Sequence, residues 1–223
     1  MTSRAAAVDE RCLLLTGFEP FGGDSVNPSL AVVRALHGRR AGHWRMAAVQ
    51  LPCVFSTALR SLRMAIETHR PAAVLCLGLA GNRSAISVER VAINLIDARI
   101  PDNAGAQPID QPVLAGGPAA HFTGLPAKAI VARLQAAGLA AELSFSAGSF
   151  VCNQVFYGLM AALAERPDVV GGFIHLPPLP EQAARHPTSR PMALDDQVQA
   201  IRLVAELLAA GTPESHGVGG SLS

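Results

Sequence analysis

Ala72 to Leu77, AAVLCL, is six apolar residues in a row, set between Pro71 and the loop GLAGNR. A strand that is apolar on both sides has to be covered on both faces, which is the condition of a central strand in a parallel sheet. Cys12 to Thr16 (CLLLT) and Val169 to Leu176 (VVGGFIHL) are runs of the same kind, and Trp44 to Leu51 is a further strand candidate. Helical spacing fills the intervals. Asn27 followed by Pro28 is an N-cap with proline at the first helical position, leading into Ala31, Val32, Ala35 and Leu36. Phe55 to His69 carries Leu59, Leu62 and Ile66 on one face, Pro126 to Ala137 carries Ile130, Val131 and Leu134, and Leu194 to Ala210 carries Val198, Ile201, Ala205 and Leu208. Strands alternating with helices predict an α/β domain whose mostly parallel sheet is covered on both faces.

A chain of 223 residues holds one substantial core, so a single domain is expected. Residues 1–11 read as a disordered extension, 12–211 as the α/β domain, and 212–223, within GTPESHGVGGSLS, as a disordered tail. A net charge of +1 supplies no electrostatic drive toward nucleic acid or an anionic membrane. No apolar run approaches the roughly 20 residues of a membrane span, and Asp9 and Glu10 stand where a secretory leader would need apolar residues. A cytoplasmic protein is expected. The cysteines at 12, 53, 76 and 152 form no CxxC pair, and the histidines show no HxxxH or HExxH, so neither a metal site nor a cofactor is expected. Cys12 and Cys76 read as core, and Cys53 is ambiguous.

Ser144 to Met160, SFSAGSFVCNQVFYGLM, passes from strand pattern through the turn Ala147-Gly148-Ser149 into helical spacing. Cys152 therefore heads a helix, where free N–H groups and the dipole favour thiolate. It reads either as a small buried hydrophobe or as a nucleophile on a strand–turn–helix. Phe18 and Phe21 occupy a glycine-flanked loop, GFEPFGG, in a chain with only eight phenylalanines. They form a slot for a flat ligand or fold the loop onto the core. Read as one strand, ISVERVAIN sets Glu89 beside Val91 and Ile93. A carboxylate there calls for an irregular strand, a structural salt bridge with Arg90 or Arg99, or an imidazole partner. Asp97 to Val113, rich in Pro, Gly and Asp, is a long excursion of the kind that carries function. His175 ends a buried strand; a lone histidine there is more often structural, but one that shares an edge with a helix-capped thiol is a candidate general base.

These motifs, LLTGFEPFGGDSVNPS, ISVERVAIN with DARIPDN, SAGSFVCNQVFYGLM and GGFIHLPPLPEQ, resemble the pyrrolidone carboxyl peptidases, also called pyroglutamyl peptidase I, from about Cys12 to Gly211. The resemblance implies a three-layer α/β/α sandwich around a twisted sheet, no metal, a homotetramer in bacterial members, and removal of an N-terminal pyroglutamyl residue from peptides. It puts Cys152 on the family's nucleophile, His175 on its general base and Glu89 on the third triad position. Phe18, Phe21 and Asn27 fall on its pyroglutamate pocket and Arg99 on an arginine near the catalytic centre. The chain departs from it at GLAGNR, where many bacterial members read GQAGGR, so Leu79 offers no polar contact. Two rival readings are a phosphorylase on a similar fold, holding phosphate with Arg83, Arg90 or Arg99, and a small-molecule binding module with an inert cysteine.

Overall fold

Alternate residues of the first strand belong to different cores. In β1 (Arg11–Phe18), Leu13 and Leu15 pack to one side of the sheet and Leu14 and Phe18 to the other. The period of two that separates them is that of any strand, and apolar residues at both parities demand a covering layer on each face. The computed structural model describes residues 11–215 and 219. After β1 the chain runs through α1 (Pro28–Leu36), β2 (Arg40–Ala41), β3 (Trp44–Leu51), α2 (Phe55–His69), β4 (Ala73–Leu79), β5 (Ile86–Glu89), β6 (Val91–Ile93) and β7 (Ala120–Phe122). It continues with α3 (Ala127–Ala136), β8 (Ala141–Ser144), α4 (Val151–Leu163), β9 (Val170–Leu176) and α5 (Leu194–Ala209). Helices α1, α3 and α5 cover one face and α2 and α4 the other, which makes a three-layer α/β/α sandwich. Among the described residues no helix is long and apolar enough to cross a membrane.

The main sheet has the order β2-β3-β1-β4-β9-β5-β8. Strands β3, β1, β4 and β9 are parallel, whereas β5 runs against β9 and takes β8 with it. The reversal follows from the short link between β4 and β5, because a parallel return needs a crossover of a dozen or more residues. The stretch ISVERVAIN is not one strand. It breaks at Arg90, whose N–H donates to Ser144 O at 2.8 Å and whose carbonyl accepts from Thr123 N at 3.0 Å. The second half, β6, pairs with β7 in a separate ribbon. Asn153 of α4 pins that ribbon: its Oδ1 accepts from Ile93 N at 3.0 Å, and its Nδ2 donates to Ile93 O and Leu95 O at 2.9 Å.

Helix starts are capped partly from a distance. Asn27 caps α1 as predicted, accepting from Ser29 N at 3.1 Å, but Val54 before α2 has no capping side chain. Asp102, from the Asp97–Val113 excursion, supplies one instead, its Oδ2 accepting from Phe55 N at 2.8 Å. Of the predicted N-terminal extension, residues 1–10 lie outside the described residues and Arg11 opens β1. Of the predicted tail, residues 212–215 and 219 are described, and Glu214 serves as a cap for α3: Oε1 accepts from Lys128 N at 2.9 Å and Ala129 N at 3.3 Å, and Oε2 from Arg90 Nη1 at 2.8 Å. Replacing a capping side chain by alanine costs about 1 kcal/mol. Glu214→Ala is therefore expected to lower the unfolding free energy by that amount, read as a lower urea midpoint at unchanged slope; an unchanged midpoint would remove Glu214 from the fold's stabilising contacts.

Candidate active site

Antiparallel pairing of β5 and β9 sets Ser87 against His175, so Glu89, two residues on from Ser87, shares the face on which the imidazole stands. His175 Nδ1 lies 2.7 Å from Glu89 Oε1, and both side chains are buried. An ionised carboxylate only accepts, so Nδ1 is the donor of this bond and Nε2 is the nitrogen left for proton exchange. Glu89 Oε1 also accepts from Arg83 Nη1 at 2.6 Å, and Arg83 Nη2 donates to Ser146 O at 2.7 Å. Burial alone would raise the carboxyl's pKa, but the His175 hydrogen bond and charge, followed by Arg83, outweigh it and hold Glu89 below its ordinary value. Among the described residues Oε2 has no hydrogen-bond partner. The Ser144 hydroxyl is near enough to help hold the carboxyl ionised, yet it is directed to Ser146 O at 3.2 Å. The apolar setting of Glu89 is thus answered twice, by an imidazole and a guanidinium, and the break at Arg90 frees the strand to turn away beyond it.

Cys152 is the second residue of α4, and Phe150 before the helix provides no side-chain cap. A Cβ placed on Gly78 would come within 2.9 Å of Cys152 Sγ, and Gly78 is the register partner of His175. The half-buried thiol therefore sits over the row of the sheet that carries the imidazole, and both line one cavity of about 520 Å³. The expected thiolate bias is not what the surroundings produce. Burial, then the neighbouring Cys53 and Glu89, push the thiol well above its usual pKa, and only Arg83 among the leading influences opposes them. Desolvation is the largest of these influences, and it favours the protonated sulfur.

The cavity wall includes Phe21, Leu79, Arg83, Arg99, Phe150 and the turn 146–149. Phe21 is half-buried and stacks on Phe150 at 5.9 Å between centroids, and Phe150 in turn meets Phe55 edge-on at 5.0 Å. Arg99 is exposed at the rim. Its loop is tied to the turn before Cys152 by Asp97 N donating to Ser149 O at 3.0 Å and Ser149 Oγ donating to Asp97 O at 2.7 Å. Phe18 and Asn27 do not line this cavity. Phe18 is buried in the core, 6.4 Å from the Phe173 ring, which lies 4.8 Å from that of His175. Asn27, also buried, donates to Glu19 O at 3.0 Å, so these two hold the GFEPF loop from behind.

Two residues of the wall escaped the sequence reading in these roles. The sequence marks Arg83 only as a possible phosphate ligand, since it stands six positions before Glu89 across loop and strand and no periodicity links them. Phe150 is detectable, as an aromatic at the end of the turn, two residues before the candidate nucleophile. Of the three arginines suggested for phosphate, Arg83 and Arg99 line this cavity, Arg83 being engaged by Glu89 and Ser146, while Arg90 pairs with Glu214 and lines a different one.

A family model described as pyroglutamyl peptidase matches residues 11–210. The chain is 51% identical over 214 residues to a pyrrolidone-carboxylate peptidase of Cupriavidus necator, covering 95% of this chain and 99% of that protein. It is 55% identical over 196 residues to one of Gloeobacter violaceus, covering 88% and 96%. The crystal structure of pyroglutamyl peptidase I from Bacillus amyloliquefaciens superposes with a TM-score of 0.89 at 44% identity, over 92% of this chain and all of that one. Pyrrolidone carboxyl peptidase from Thermococcus litoralis does so with 0.88 at 34%, over 93% and 99%. Fold and sequence thus agree along almost the whole length, and the chain belongs to the pyroglutamyl peptidase family.

Proposed function

We propose that this protein is a cysteine-type exopeptidase that hydrolyses the N-terminal pyroglutamyl residue from peptides, with Cys152 as nucleophile, His175 as general base and Glu89 as the group that orients the imidazole. The observation that carries the reading is the buried His175–Glu89 hydrogen bond of 2.7 Å on the cavity that Cys152 also lines. Because the resting thiol is protonated, attack begins with transfer of its proton to His175 Nε2 as sulfur bonds to the pyroglutamyl carbonyl carbon. The imidazolium, stabilised by Glu89, then protonates the leaving amine. Water, deprotonated by the same His175, attacks the thioester carbon; the C–S bond breaks, pyroglutamate leaves as the acid, and the imidazolium returns the proton to sulfur. The developing oxyanion meets the Cys152 N–H at the helix head, with Arg99 contributing from the rim.

The lactam is flat and neutral, which suits the Phe21–Phe150 stack and the apolar side chain of Leu79. Phe18 and Asn27 act on the pocket through the loop they anchor. A charged N-terminal amine finds no deep partner, since Glu89 is committed to His175 and Arg83 and Asp97 is exposed at the rim. The reading includes peptides bearing N-terminal pyroglutamate as partners, a cytoplasmic setting and a homotetramer, as the family resemblance implies. The test is release of a fluorescent amine from its pyroglutamyl amide under reducing conditions, beside the prolyl amide, with and without inorganic phosphate. Cleavage of the lactam alone, at a rate indifferent to phosphate, is expected. Equal cleavage of the prolyl amide, or dependence on phosphate, would overturn the reading.

A further inference from the structure

We infer that Arg83 is a positioning residue of the reaction, a fork that fixes the Glu89 carboxylate against His175 and ties it to the turn leading into the nucleophile's helix. The inference rests on the triad reading above. Its two terminal nitrogens are divided between the two halves of the site: Nη1 donates to Glu89 Oε1 at 2.6 Å and Nη2 to Ser146 O at 2.7 Å. Glu89 Oε1 is the same oxygen that His175 Nδ1 uses, so the guanidinium determines which carboxylate oxygen faces the imidazole and at what angle. Ser146 belongs to the turn that delivers Cys152 to the head of α4. Without Arg83 the carboxylate would keep one donor, and its Oε2 already has none. The side chain is 21% exposed, on the wall of the cavity that the thiol also lines.

Arg83 acts at once through geometry and charge, and the two are separable. A lysine restores a cation and one hydrogen bond but lacks the planar fork needed for two divergent acceptors. A glutamine removes the charge. Glu89 is held ionised in part by the Arg83 charge, so the Glu89–His175 pair takes up a proton more readily once that charge is gone.

The experiment compares kcat, KM and the pH profile of kcat/KM for wild type, Arg83→Gln and Arg83→Lys on the pyroglutamyl amide, with near-UV circular dichroism to establish folding. Arg83→Gln is expected to lower kcat at least tenfold, to leave KM within about threefold, and to move the acid limb up by about one pH unit. Arg83→Lys is expected to return the acid limb to its wild-type position while recovering kcat only in part. A wild type that leaves the amide uncleaved overturns the triad reading itself. An active wild type matched by Arg83→Gln in both kcat and acid limb overturns the role of Arg83 alone. If the glutamine variant does not fold, the lysine variant decides: reduced kcat at unchanged KM upholds the fork, and wild-type kcat overturns it.

Discussion

Cys152→Ala is expected to abolish turnover, with activity on the pyroglutamyl amide falling by a factor on the order of 10⁴ or more, while the fold persists, because the lost sulfur is half-buried at the surface of a cavity. The same residue makes a sharper statement about pH. A thiol activated in advance by a helix head would react with iodoacetamide at a rate nearly flat across neutral pH. Here burial, Cys53 and Glu89 hold the thiol protonated. Alkylation of Cys152, followed by mass spectrometry of its peptide, should therefore rise about tenfold per pH unit from pH 6 to beyond 8. The rise should have no plateau below the ordinary thiol range, because a raised pKa keeps the thiolate a minor species throughout. Cys53 and Cys76, pushed up to about 12 by burial first, remain unlabelled in that window. A flat profile would mean a preformed ion pair with His175, and proton transfer would then no longer be part of the attack step. Cys152→Ala retaining even a hundredth of wild-type turnover would remove the thioester from the reaction.

The parts of this molecule that could be read in advance are those whose causes are local. The apolar run in β4 implied two covering layers because both side-chain parities were apolar, and all seven of its residues are buried. Asn27-Pro28 marked the start of α1 because cap and proline act on neighbouring backbone. What escaped has distant causes. The direction of β5 depends on how little chain joins it to β4, and β7 is three residues of mixed exposure with no pattern to read. The caps contributed by Asp102 and Glu214 join residues 47 and 86 positions apart, so nothing near either helix announces them. The site divides the same way. Cys152, His175 and Glu89 stood out through position and chemical incongruity, and the fold brings them to one region. The thiol's protonation, the guanidinium clamp on Glu89 and the withdrawal of Phe18 and Asn27 behind the pocket depend on packing that no single stretch of sequence contains.

Gly17 belongs to that second class, and Gly17→Ala is expected to destabilise the protein by more than about 3 kcal/mol, among the largest effects of any single-methyl addition. The first glycine of GFEPFGG looks like loop chemistry, but it is the penultimate residue of β1, and its backbone is not in the left-handed region. Its constraint is contact. A Cβ there would lie 2.5 Å from Ser29 O, 2.6 Å from Ser29 C and 2.8 Å from Leu30 N, all main-chain atoms in the first turn of α1. Main chain cannot swing aside as a side chain does, so either the helix start lifts or the strand end bends. Both break the neighbouring bonds, Phe18 N to Ser29 Oγ at 2.9 Å and Ser29 Oγ to Asn27 Oδ1 at 2.7 Å, which fix the loop carrying Phe21. Gly22 is the internal control: its φ of +63° disfavours alanine, but nothing lies within 4 Å, so Gly22→Ala should cost only about 1 kcal/mol, the backbone penalty alone. Urea unfolding of the two variants separates close packing from backbone strain. Equal midpoints would mean that α1 does not seat rigidly on β1, and the positioning of Phe21 would then need another source; a large gap, with KM raised in whatever Gly17→Ala protein still folds, ties the shape of the cavity that Phe21 lines to the packing of one helix start against one strand end.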